Sequence, residues 1–155
     1  IIFLFIMVMN ISYFSYNRGV FPSREVKTFH FELAKFKSSK QQSIELVRLT
    51  NFKWDEICLF GGFNINLKDQ NVIGAIGFKP RFLLKSEYYV DSDNIGALFI
   101  NYANNSIKIF QYFLDKDELS NLYQKKDSTF ENLKITYWPN DPLTCYSKNN
   151  LKFMK

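Results

Sequence analysis

Apolar positions gather most densely between Ile95 and Leu114. Two runs of β-forming residues, Ile95 to Tyr102 and Ile107 to Leu114, flank the tetrad Ala103-Asn104-Asn105-Ser106. Asn and Ser satisfy tight turns, and β-branched and aromatic residues suit a pleated surface, so this stretch predicts a β-hairpin. Upstream, Val26, Phe29, Leu33 and Phe36 recur every three or four residues behind Ser23, a residue suited to cap a helix. Phe29, Phe31 and Leu33 also alternate as in a strand; the helical reading over Pro22 to Lys37 is preferred.

The remaining pattern predicts strands at Ser43 to Leu49, Trp54 to Phe60, within Arg81 to Val90, and at about Leu133 to Trp138. Short helices are expected from about Asp69 to Phe78, ending before Pro80, and from Asp115, as a cap, through Tyr123. The fold class expected is α+β: a single domain over residues 22–155, mainly antiparallel sheet with two or three short helices.

At the centre of this plan lies Asn51 to Phe63, N-F-K-W-D-E-I-C-L-F-G-G-F. Trp54 and Phe60 can anchor a core, because aromatic side chains bury the most area per residue. Gly61 and Gly62 are expected to turn the chain sharply out of the strand with positive φ.

Residues 1–9, I-I-F-L-F-I-M-V-M, form an unbroken apolar run without an initiator Met or a basic leader. The expectation is a truncated signal peptide or signal anchor over residues 1–16, since the run is too short to span a bilayer alone. Localisation is then exported, either periplasmic or anchored at the inner membrane, with membrane contact only through this segment. In an oxidising compartment Cys58 and Cys145, the only cysteines, should pair as a disulfide.

Charge adds little to this. The formal net charge is +5, but basic and acidic residues are interspersed, which favours a solvated surface over a nucleic-acid tract. No nucleic-acid partner is expected, because the interleaved Lys108-Ile109-Phe110-Gln111-Tyr112 lacks an RNP-type signature.

Chemistry is constrained more firmly. His30 is the only histidine, so triads that need a histidine base have one possible source and His30 reads as a packed or surface residue. Two cysteines cannot build a Cys-pair zinc site, and no glycine-rich phosphate loop is present. Asp91-Ser92-Asp93-Asn94-Ile95-Gly96 has acidic oxygens at alternate positions but places Ile95 where a calcium ligand belongs, so a turn is expected. No cofactor and no metal are expected. Asp55 and Glu56, adjacent on a strand, should face opposite ways; Asp55 is expected to hold a neighbouring turn or backbone amide.

Phe52-Lys53-Trp54-Asp55-Glu56-Ile57-Cys58-Leu59-Phe60-Gly61 resembles a segment of a loosely defined family of small exported bacterial proteins and lipoproteins of uncharacterised function. That family carries Phe-x-Trp-Asp-x-aliphatic-Cys/Tyr-aliphatic-x-Gly/Pro-Pro-Tyr, followed later by a strand, an Asn/Gly turn and another strand. Here Gly62-Phe63 replaces Pro-Tyr. The resemblance implies export and an α+β fold, and supplies no catalytic residues. The function expected is a non-catalytic exported binding protein, an inhibitor or immunity protein acting in the envelope on a toxin or envelope component. The alternative is a small carboxylate-dependent hydrolase, drawing on Asp55, Glu56, Glu87, Asp91 and Asp93. Tyr88, Tyr89, Tyr146, Lys85 and Lys148 are the candidate partner contacts.

Overall fold

A computed structural model describes residues 23–80, 86–137 and 141–155. The expected signal segment, residues 1–16, and Lys85 lie outside the described residues.

Helix α1 (Arg24–Ser38) opens the described chain, and the Ser23 hydroxyl accepts from the Val26 amide at its start. Val26, Phe29, Leu33 and Phe36 are buried, whereas Phe31 is 67% exposed. Strand alternation would have buried Phe31 with Phe29 and Leu33, so the three-to-four spacing decides the element. The strand expected over Ser43 to Leu49 is shorter: β1 (Ser43–Glu45) gives way to a 3-10 turn, Leu46–Leu49. That turn puts Leu46 and Leu49, three apart, on one face into the core.

The central sheet is β6-β5-β2-β9, antiparallel throughout: β2 (Glu56–Gly61), β5 (Asn94–Asn101), β6 (Ser106–Asp115) and β9 (Cys145–Ser147). The predicted hairpin is β5–β6, with Asn105 in the left-handed region at φ 51°. At β2 and β5 this sheet is buried on both faces. Ile57, Leu59, Ala97 and Phe99 face α1 and a phenylalanine cluster, while Cys58, Phe60, Leu98 and Ile100 face a second core. Burial on both sides explains why β2 and β5 read as continuous apolar runs rather than alternating ones.

The second core is covered by the ribbon β3 (Asn64–Asn66) and β4 (Glu87–Tyr89) and by α2 (Gln70–Ile76), capped by the Asp69 carboxylate. On the other side lies a second sheet, β1-β10-β7-β8, built with β7 (Leu122–Lys126), β8 (Thr129–Asn132) and β10 (Leu151–Met154).

Two expectations are corrected. The helix begun by Asp115 is a single turn, α3 (Lys116–Leu119), closed by a capping box with Glu118. Leu122 leaves it to pair with Phe153 in β7, where it is wholly buried. Leu133 to Tyr137 forms no strand among the described residues. It touches the central sheet through one parallel bridge, Thr136 to Phe60, with the Thr136 amide donating to Leu59 and the Gly61 amide donating to Thr136.

Candidate functional site

The motif residues converge at one end of the central sheet. Trp54 is buried edge-on against Phe99, ring centroids 5.1 Å apart, and its Nε1 donates to the Thr50 hydroxyl at 2.8 Å. A buried indole must place its N–H, and Thr50 supplies the acceptor without exposing the ring. With Trp54 fixed, Asp55 stands at the mouth of β2. Its amide donates to Ile100 at 2.7 Å and its carbonyl accepts from the Lys148 amide at 2.9 Å, extending both flanking ladders by one residue.

The Asp55 side chain closes the same end. Oδ1 receives the Lys148 ammonium at 2.9 Å, and Oδ2 accepts from the Tyr102 amide at 2.9 Å, where β5 turns toward β6. The Lys148 bond, followed by the Tyr102 N–H, holds the Asp55 carboxyl below the usual carboxylate range. Tyr102 also donates its hydroxyl to Glu56 Oε2 at 2.7 Å. Burial, reinforced by that bond and by the charges of Glu56 and Asp55, pushes the phenol up to about 12. Asp55 therefore holds a turn and a backbone amide, as expected of it. Although the two carboxylates are adjacent, both attach to Tyr102, one through its amide and the other through its hydroxyl.

The other acidic residues do not join them. Glu87 accepts from Asn66 on the β3–β4 ribbon. Asp91 forms a turn into β5, with Asn94 N donating to its carbonyl and Ser92 Oγ to its carboxylate. That turn adjoins Ile95, which pairs with Gly61, while Glu56 pairs with Ile100. Five residue steps separate these ends of β2, roughly 17 Å at the usual strand rise. Among the described residues, no three His, Cys, Asp or Glu side chains gather to hold a metal ion.

Cys58 and Cys145 are joined as a disulfide across directly opposed positions of β2 and β9. Gly62 takes the left-handed backbone, φ 74°, that a sharp strand exit requires. Gly61 does not. It remains in the strand, where a Cβ would lie 3.2 Å from Ile95 Cδ1 and 3.3 Å from Asn94 O, so its role is close packing.

The predicted contacts scatter. Tyr146 is 7% exposed, and its hydroxyl donates to the Lys134 carbonyl while accepting from the Lys134 amide, so it is core and not a contact. Lys148 is committed to Asp55. Tyr88 is half-buried against the second core, and Tyr89 stands 58% exposed. His30 binds the Tyr112 carbonyl through Nε2 at 2.9 Å, which makes that nitrogen the donor.

Sequence reasoning missed Tyr102. Finding it would have required the β2–β5 register, which sets Glu56 opposite Ile100 across more than forty intervening residues. Comparison of the chain with protein-family models, with curated proteins and with solved structures finds no match. Among the described residues no helix is long and apolar enough to cross a membrane.

Proposed function

We propose that this chain is an exported, non-catalytic binding protein that engages another protein in the bacterial envelope, as an inhibitor or as an immunity protein against a toxin. The observation that carries this reading is the fate of Asp55. Its two oxygens are spent on Lys148 and on the Tyr102 amide, and its pKa is held low. A catalytic acid or base needs a pKa near the working pH and a free face toward substrate. Asp91, at the far end of β2, also lies well beyond the separation of about 5 to 9.5 Å from Asp55 or Glu56 that a carboxylate pair for glycoside hydrolysis needs.

Export is supported by the disulfide, which fits an oxidising location. Within that reading the protein is periplasmic or held at the inner membrane by its N-terminal segment. The resemblance of Phe52 to Gly61 to small exported proteins points the same way.

Envelope extract passed over the immobilised protein is expected to yield one defined, stoichiometric partner, with retention equal for Asp55→Asn protein of matched folded fraction. A hydrolytic activity on an envelope polymer that Asp55→Asn abolishes, with the thermal transition unchanged, would replace this reading with the carboxylate hydrolase.

A further inference from the structure

The β1-β10-β7-β8 sheet packs one face on the core through Ile44, Phe153, Leu151 and Leu122. Register fixes what the other face presents. Glu45 lies opposite Lys152, Lys152 opposite Tyr123, Tyr123 opposite Asn132, and Lys125 opposite Phe130. Directly opposed residues share a face, so Lys152, Tyr123, Lys125 and Phe130 form one contiguous patch.

A sheet with one buried face normally turns polar residues outward. Here two aromatic rings are set among lysines instead. Phe130 is 42% exposed, with the Lys152 ammonium 5.9 Å from its ring centre. Beside it, Gln41, Ser43, Glu45, Arg48 and Lys152 line a depression of about 180 Å³.

Charge on this face is uneven. Arg48 bonds Glu45 at 3.2 Å, and among the described residues neither Lys125 nor Lys152 forms an ion pair. The exposed Phe130 ring, beside the half-buried Tyr123, supplies apolar contact area, and the two ammonium groups outside any ion pair select the sign of what covers them.

We propose that this outer sheet face is the docking surface for the acidic face of a protein partner. The inference rests on the binding role proposed above and gives that role a place and a partner chemistry.

The probe is fluorescein-labelled poly-L-glutamate, titrated by anisotropy against the 155-residue protein at low and moderate salt. Lys125→Glu with Lys152→Glu is expected to weaken binding by about tenfold or more. The control reversal Lys27→Glu with Lys68→Glu, exposed lysines on other elements, should change it by less than about twofold once salt screens distant charge. Phe130→Ala should weaken binding without altering the thermal transition. Equal losses from both lysine pairs, or no binding by the parent protein, overturn the proposal. So does tighter binding of an oligothymidylate or of phosphatidylglycerol vesicles through the same lysines. If poly-L-glutamate is held as expected but envelope extract yields no partner, the face stands and the binding role falls. If a partner is recovered whose affinity the Lys125→Glu, Lys152→Glu protein retains, the role stands and the face falls.

Discussion

Replacing both cysteines by alanine tests the bond that ties the last quarter of the chain to the central sheet. Cys58 and Cys145 are 87 residues apart, so their bond removes a long loop from the unfolded ensemble. In the chain-entropy treatment a loop of that length contributes about 4.5 kcal/mol at 25 °C. Cys58 is wholly buried, and trimming its sulfur adds about 1 kcal/mol for lost packing. For a chain of this size each kcal/mol lowers Tm by about 3 °C, so the Cys58→Ala, Cys145→Ala protein should melt about 15 °C below the parent. Calorimetry measures that difference, and urea unfolding supplies an independent signature. A freed unfolded chain exposes more surface, so the m-value should rise along with the fall in midpoint. Intact mass should show the untreated parent lighter than its reduced form by two hydrogens. A Tm shift below about 4 °C with an unchanged m-value would refute loop closure as the source of stabilisation.

Gly96→Ala should destabilise by about 1–3 kcal/mol through overpacking. Its Cβ would stand 2.6 Å from Val90 Cγ2 and 2.7 Å from Phe60 Cζ, both on wholly buried side chains. An unchanged thermal midpoint would disprove that packing. Tyr102→Phe removes the hydroxyl bonded to Glu56 and should alter the alkaline limb of stability. The native phenol, at about 12, is raised above its unfolded value, so its contribution is complete below pH 10 and is lost as pH rises through about 12. Ultraviolet titration should show late tyrosinate ionisation that falls by one phenol in the variant, burial keeping Tyr146 raised in both proteins; an unaltered titration curve would assign the lost phenol elsewhere.

Elements whose signal is local were legible in the sequence. The β5–β6 hairpin carries its own turn, α1 carries its own period and cap, and Asp69 announces α2. The β7–β8 hairpin was hidden because β8 is exposed at every position and so has no apolar alternation to read. Its turn relies on Asp127 at φ 56°, without the glycine that usually marks such a turn. The Asp115–Glu118 capping box is a sound helix signal, yet burial of Leu122 against Phe153 outweighs helical continuation after one turn. Asp55 was expected to hold a neighbouring turn or backbone amide, and it holds that of Tyr102, a partner that only the β2–β5 register brings to it. Tyr146 was misplaced because nothing in its neighbours separates a surface tyrosine from one whose hydroxyl serves a buried backbone pair.

Strand β10 lies between β1 and β7, and its partner Ser43 stands opposite Met154. An interior strand of one whole sheet is thus contributed by residues 151–154, paired with an edge more than a hundred positions earlier. During synthesis, β1 has no sheet neighbour and β7 has only β8 until that tetrapeptide has left the ribosome. Pairings of such long range also form slowly, because loop closure precedes any gain from contact. The β1 edge consequently stays unpaired until residues 151–154 reach it, long after the β5–β6 hairpin can close on its own local turn.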